Sequence, residues 1–345
     1  MSDEIDFVLP WVDANDKDWQ KSKDYYSPDL CNMYDNDKGI IRYRDTKTLK
    51  YALRSIEKYC PWYNKIHLIT NGQKPEWLNF DHPKINLIIH EELYFDKTHL
   101  PTFNSSSIEM NLANLKNVSE KFIYLNDDFL IFNRLTKDRF FVDDKPVDFL
   151  VHGWIPRNRI YQFLRDDSSW VKSLNNNIKL INSITTPSKI KDKRNVFFNP
   201  TYSMKDKISN FLLLNLYRRY FFISHWHNAQ PYTLSVLKEV YERFKKPMLE
   251  CSKNRFRSDN DLTQYLYRYY HLATGKFYPY KYNDFYYANI TSYTALESIL
   301  EELKDANFNF VSIYDNYRDE ESDDILKKLT NFLEDKFPEK ASFEL

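Results

Sequence analysis

Leu100–Phe132 reads LPTFNSSSIEMNLANLKNVSEKFIYLNDDFLIF. Within it, Phe122–Leu125 and Phe129–Phe132 are two apolar runs of strand length, and Asn126-Asp127-Asp128 separates them. A buried strand that breaks into consecutive carboxylates puts charge at the end of a sheet, where open α/β folds collect their ligands. Vicinal carboxylates beside an amide oxygen suit a hard divalent cation carrying phosphates. The same triplet also suits an Asx turn between two strands, and taken alone it leaves both readings open. Upstream, the hydroxyl-rich loop Thr102–Ser107 is expected to open a helix from Ile108 to about Leu115. Glu109 then falls in the first turn, where the helix dipole alone accounts for an acid.

Working outward toward the N-terminus, Ile5–Val12 reads as a buried strand that ends in the polar turn Asp13-Ala14-Asn15-Asp16. If this strand neighbours the Tyr124 strand, Asp13 meets Asp127 and Asp128 at one sheet edge; otherwise Asp13 is a helix N-cap. Asp18–Asp37 is polar and aperiodic, an expected loop or short helix followed by a flap. Leu49, Ala52, Leu53, Ile56 and Tyr59 fall at helical spacing, which Pro61 ends. Arg44, just before them, is placed either to reach a phosphate or to pair with Asp45 at the surface. Ile66–Thr70 is a second strand that stops at the turn Asn71-Gly72, Pro75–Leu78 resembles a short helical start, and Ile85–Ile89 is a third strand. Strand and helix alternating in this way predict a parallel α/β sheet.

Beyond Leu135 the alternation fades, apart from a candidate strand at Val147–His152. The expected organisation is one continuous catalytic unit whose first part is 1–139 and second part 221–345, with 140–220 as a mostly helical insertion. The polar cluster Ser224–Asn228 holds His225 and His227, which two apart cannot share a helix face. One is expected to point to a site and the other to pack. Arg255, Arg257, Asp259 and Asp261 precede a helix expected over Leu262–Leu272, and Phe308–Ile313 reads as a late strand.

Lys plus Arg and Asp plus Glu number 49 each, so no charge imbalance points to nucleic acid as a partner. With 27 Tyr and 25 Phe but only 4 Gly, the chain offers many flat amphipathic surfaces of the kind on which sugar rings stack, although Tyr also fills half-buried positions. Three cysteines at wide spacing, Cys31, Cys60 and Cys251, fit neither a disulfide framework nor a zinc ribbon. No signal sequence or long apolar stretch is evident, so the expectation is a cytoplasmic protein, with peripheral association at the inner face of the membrane left open.

Several blocks together resemble the Stealth family of sugar-phosphate transferases. They are IDFVLPWVDANDKDW (Ile5–Trp19), RDTKTLKYALRSIEKYCPWYNKIHLITNGQKPEWLN (Arg44–Asn79), LPTFNSSSIE with FIYLNDDFLIF, the His227 region, RFRSDNDLTQYLYRYY (Arg255–Tyr270), and NFVSIYDN with FPEKASFEL. Two details depart from the family pattern: Thr48 stands where an acid is usual, and HWHNAQP lacks the usual His-x-Pro form. The resemblance implies an α/β, Rossmann-like and glycosyltransferase-A-like fold, a mostly parallel sheet with flanking helices and a helical insertion. It implies transfer of a sugar 1-phosphate from a nucleotide sugar, such as a UDP-N-acetylhexosamine, to a hydroxyl of a glycan or lipid-linked oligosaccharide, as in bacterial capsule or exopolysaccharide synthesis.

On that resemblance Asp127 and Asp128 are the expected ligands of Mg²⁺ or Mn²⁺, and Trp11, Asp13, Arg44, Asn71 and Asn126 the expected donor-binding set. His227, Arg257, Asp261 and Glu109 are the expected catalytic set. His227 would act as general base, Arg257 would neutralise the moving phosphoryl group, and Asp261, four residues on, would hold the arginine or the histidine from the same helix face. Two other readings stand beside it: a metal-dependent glycosyltransferase that releases a nucleoside diphosphate, and a non-catalytic carbohydrate-binding protein.

Overall fold

The computed structural model describes residues 3–27, 46–153, 169–224, 228–305, 307–317, 320 and 322–345. Arg44, His225 and His227 lie outside the described residues.

The first strand, β1 (Ile5–Pro10), is followed by α1 (Lys17–Tyr26), α2 (Thr48–Tyr59), β2 (Ile66–Thr70) and β3 (Ile85–Ile89). After them come α3 (Ser105–Glu109), β4 (Lys121–Tyr124), β5 (Phe129–Ile131) and the hairpin β6 (Phe141–Val142)–β7 (Lys145–Asp148). Segment 140–220 therefore opens on a hairpin before its helices α4 (Ser169–Ile184), α5 (Lys193–Phe198) and α6 (Met204–Leu212). The chain ends with β8 (Gln230–Thr233), α7 (Leu234–Ser252), α8 (Tyr265–Thr274), β9 (Tyr278–Pro279), β10 (Phe285–Ile290), α9 (Tyr293–Asp305), β11 (Phe310–Asp315) and α10 (Ser322–Lys336).

The main sheet has the order β3-β2-β1-β4-β8, parallel except for β8, which runs antiparallel to β4. Alternation along its central strands fills two cores. Val8, Phe122 and Tyr124 face a cluster shared with α7 and α8, whereas Phe7, Leu9, Ile123 and Leu125 face Leu49, Leu53 and Ile56 of α2. A second sheet, β10-β11-β5, carries α9 and α10 on one face. The two apolar runs of the FIYLNDDFLIF stretch thus belong to different sheets. The chain leaves the first at Leu125, whose N–H still bonds Val8 at 3.0 Å, and enters the second where Ile313 N–H bonds the carbonyl of Asp128 at 3.0 Å.

Four local expectations need correction. Pro75–Leu78 forms no helix; Asn79 N–H instead bonds Phe343 at 2.9 Å, and Leu78 bridges Glu344, so the linker is used to dock the C-terminal tail. The helix expected from Ile108 begins earlier, at Ser105, because Asn104 caps it through the Ser106 N–H, and it ends at Glu109. Glu109 is therefore in the last turn, where the helix dipole disfavours an acid, and the dipole cannot explain it. Helix α1 is capped by Asp16, not Asp13. Finally, α8 starts only at Tyr265, which leaves Arg257 and Asp261 in a loop and on no common helix face.

Candidate active site

The C-terminal ends of β2, β1 and β4 lie side by side, because the parallel register sets Pro10 against Ile69 and Val8 against Tyr124. Asn71, the Trp11–Asp13 segment and Asn126–Asp128 therefore emerge along one edge. Glycine in the left-handed region at Gly72 (φ 109°) turns the chain after Asn71, and Gln73 then reaches back across the edge. The Asp13 N–H donates to Gln73 Oε1, while Gln73 Nε2 donates to the Asp13 carbonyl and to Asp16 Oδ2, each at 2.9 Å. Gln73 was not singled out from the sequence, since one amide in a turn carries no pattern. The Asp13 carboxylate accepts from the Asn15 N–H at 2.8 Å.

Electrostatics tie the acids together. Burial, with the charges of Asp127 and Asp315, drives the Asp128 carboxyl well above its usual range. Asp315 closes β11 and comes from the second sheet. Tyr124 is fully buried at the end of β4, and its hydroxyl is pushed up by burial and by the Glu109 and Asp127 carboxylates. It thus sits in the field of Asp127, close by in the sequence, and of Glu109 on the preceding helix. On the adjacent strands β10 and β11 of the second sheet, Tyr287 and Tyr314 place exposed rings 5.5 Å apart, and the Asp128 charge acts on Tyr287. Neither tyrosine stood out in a chain so rich in them.

Glu109 connects this edge to the Arg257 loop. Its Oε2 accepts from the Gln264 N–H at 2.7 Å, and its carbonyl accepts from the Tyr267 hydroxyl at 3.0 Å. Burial pushes the carboxyl up to about 7, against the pull of the Gln264 N–H and the Arg257 charge. Arg257 donates to Ser105 Oγ at 3.1 Å, one residue after the α3 cap.

Asp261 is fully buried, and its oxygens accept from Asn254 Nδ2 (2.7 Å), Asn104 Nδ2 (3.0 Å) and the Ser258 N–H (3.0 Å). Asn104 also donates to the Asn254 and Phe256 carbonyls at 3.2 Å. Asp261 thus folds the loop that carries Arg257 and pins it to the start of α3, so its contact with the arginine's role is indirect. Downstream of the histidine block, Gln230 reaches the same edge, pairing with Tyr124 in the β4–β8 ladder, while upstream of it the Ser224 N–H bonds Val151 at 2.8 Å.

Asp127 and Asp128 supply oxygen donors of the type that a hard cation takes, and the charge crowding that raises Asp128 is what a divalent cation would relieve. Among the described residues no three His, Cys, Asp or Glu side chains are already gathered into a cation cage. A Mg²⁺ that carries substrate phosphates needs only one or two protein carboxylates, so the residues present fit it.

Profiles described as Stealth protein CR1, conserved region 1, CR2, conserved region 2, and CR3, conserved region 3, match residues 3–31, 42–148 and 226–274 respectively. A capsular polysaccharide phosphotransferase WcwK of Streptococcus pneumoniae is 35% identical over 344 residues, covering 99% of this chain and 98% of its own. The exopolysaccharide phosphotransferase cps2G of Lactiplantibacillus plantarum is 30% identical, covering 99% and 96%. Among solved structures, the galactosyltransferase LgtC in complex with donor and acceptor sugar analogs aligns over 96% of this chain and 95% of its own, at 12% identity and a TM-score of 0.40.

Proposed function

This chain belongs to the Stealth family, and from that premise we propose that it transfers a sugar 1-phosphate from a nucleotide sugar to a glycan hydroxyl in capsule or exopolysaccharide synthesis. The observation that carries the reading is the meeting of Asp127 and Asp128 with the β1 end at the seam between two sheets, under the field of Asp315.

In the proposed reaction an acceptor hydroxyl oxygen attacks the phosphorus that bears the sugar. A new P–O bond forms, the bond to the nucleoside monophosphate breaks, and the hydroxyl proton passes to a base. Asp127 and Asp128 would hold Mg²⁺ or Mn²⁺, which when bound supplies charge neutralisation at the diphosphate. Arg257, held over α3 through Ser105, adds a fixed positive charge for the phosphoryl oxygens. Glu109 is poised near neutrality and lies in the field of Arg257, where it would orient a substrate hydroxyl. Asp261 positions Arg257 by folding its loop. Trp11, Asp13, Asn71 and Asn126 line the edge proposed for the donor, joined by Arg44 from outside the described residues. His227, or His225 two residues before it, is the proposed base, since an imidazole titrates near ~6.5. Tyr287 and Tyr314 flank the acids on the side away from β1 and β2 and offer flat faces to a sugar ring.

Incubation with UDP-N-acetylglucosamine and related donors, with identification of the nucleotide released, tests the reading. UMP is expected. UDP without UMP would sink it in favour of glycosyl transfer.

A further inference from the structure

Helix α6 is amphipathic with its polarity reversed. Its polar residues Ser209 and Asn210 are buried, at 2% and 0% exposure, while Met204, Ile208 and Phe211 stand 72%, 47% and 55% exposed. A π-helical turn over Leu213–Tyr217 continues the helix and exposes Leu216 to 67%. The buried polar side chains are fully used. Asn210 Nδ2 donates to the Leu150 and Phe197 carbonyls at 2.9 Å, its Oδ1 accepts from the His152 N–H at 2.9 Å, and Ser209 Oγ donates to the His152 carbonyl. A Ser203–Asp206 capping box fixes the start of the helix. The outward apolar face is therefore rigidly imposed and cannot turn inward, because rotation would leave Ser209, Asn210 and four backbone groups unpaired.

We infer that this face docks the protein onto an anionic phospholipid surface. Exposed apolar side chains in series along one helix are the feature that inserts at a headgroup boundary, and here cations bracket them. Lys205 and Lys207 lie at one end, and Arg218 and Arg219 at the other. The one acid between them, Asp206, is held by Lys281 at 2.6 Å. Charge also argues against a second copy of this chain as the occupant. An antiparallel pair of these helices would set Lys205 and Lys207 against Arg218 and Arg219, and a parallel pair would set each cluster against itself. An acidic leaflet meets both clusters at once.

The segment gripped by Ser209 and Asn210 bridges His152 to Ile223, two residues before His225. The inference goes beyond the proposed reaction and does not depend on which nucleotide leaves.

Flotation of the full chain with vesicles of equal parts phosphatidylcholine and phosphatidylglycerol, against pure phosphatidylcholine, tests it. Binding at least tenfold stronger to the anionic vesicles is expected. The Ile208→Ser/Phe211→Ser/Leu216→Ser variant should lose that binding at least tenfold, and Lys205→Gln/Lys207→Gln/Arg219→Gln should lose the preference for the anionic lipid. Neither variant alters a buried position, Lys207 being half-buried and the others exposed, and unchanged circular dichroism and nucleotide release with a soluble donor confirm folding. Equal flotation of wild type and serine variant overturns the inference. So does absence of wild-type binding, or light scattering that shows a dimer which the serine substitutions convert to a monomer.

Discussion

Glu109 and Gln264 are 155 residues apart in the chain, yet the Glu109 carboxylate accepts the Gln264 backbone N–H at 2.7 Å. This bond closes α3 onto the entrance of α8 and so fixes the Arg257 loop relative to the acids that follow β4. It also holds a carboxyl whose burial pushes it up to about 7. A group with that value changes charge in the range where the enzyme would work.

Glu109→Gln keeps the acceptor oxygen for Gln264 but removes the titration. Wild-type kcat/KM is expected to fall as pH drops below about 7, and the variant to lose that limb along with at least tenfold in kcat. A limb with the same midpoint in the variant would assign it to another group. Stability gives an independent sign. The folded value lies above the ordinary 4.5, so the native state binds the extra proton, and stability falls as pH rises from about 4.5 to about 7. Glu109→Gln should therefore be the more stable protein at alkaline pH, by up to roughly 3 kcal/mol in urea titrations.

Asp128→Asn should separate stability from activity. Burial and the charges of Asp127 and Asp315 make the ionised Asp128 side chain unfavourable in the free protein. The amide is expected to match or exceed the wild-type Tm while kcat drops at least a hundredfold. Mg²⁺ should raise the Tm of the wild type and leave that of the variant unmoved, and chelation with EDTA should abolish nucleotide release. A variant that keeps its activity would remove Asp128 from the site.

The fold was legible where a single period ran unbroken. The apolar runs at Ile5 and Phe122 and the 3.6-residue spacing from Leu49 to Tyr59 became β1, β4 and α2. The α/β class followed from their alternation, and the full-length relatives support the family resemblance. Strand β8 was missed because QPYT is short and holds a proline, which is tolerated only because β8 lies at the sheet edge. The four-residue spacing of Arg257 and Asp261 imitates a helix, but the Asp261 carboxylate captures the Ser258 N–H and the Asn254 amide and builds a loop instead. Likewise, Ser105–Ser107 looked like loop until Asn104 supplied a cap. In these last two cases a side chain bonding to backbone outweighed the pattern, and such bonds leave no periodic trace.

Acid should unfold the protein partly through one buried cluster. Burial opposes ionisation of Asp148, but the Arg268 charge and the hydrogen bonds from His271 and Arg268 outweigh it and hold the carboxyl at about 2. Arg268 donates at 2.8 and 2.7 Å, and His271 Nε2 lies 2.9 Å from Oδ2. A depressed carboxyl stabilises above its ordinary 3.8, and that contribution, about 2 kcal/mol, is lost as pH falls toward 2. His271 works in the same direction: burial lowers its pKa, so stability begins to fall once pH drops below the ordinary 6.5. Asp148→Asn strands a buried guanidinium, and is expected to cost about 3–5 kcal/mol near neutrality and to flatten the acid limb of the urea midpoint against pH. An acid limb as steep as the wild type's would place the sensitivity elsewhere.

The C-terminal tail is held through a second buried arginine. Arg54 on α2 donates to Glu344 Oε1 and Oε2 at 2.6 and 2.9 Å and to the Phe337 carbonyl at 2.6 Å, and Glu334 adds a contact at 3.1 Å. Both the Arg54 and Glu344 side chains are 2% exposed. Removing one partner leaves the other charged and dry, so Glu344→Ala should destabilise by about 3–5 kcal/mol. Removing both is different in kind, because Arg54→Met/Glu344→Leu trades the pair for apolar volume and should recover most of the loss. Urea denaturation of the two single variants and the double variant closes the cycle. If the double variant is as unstable as the sum of the singles, the ion pair is not what holds the tail, and the packing of Phe343 against the α2 side of the main sheet takes that role instead.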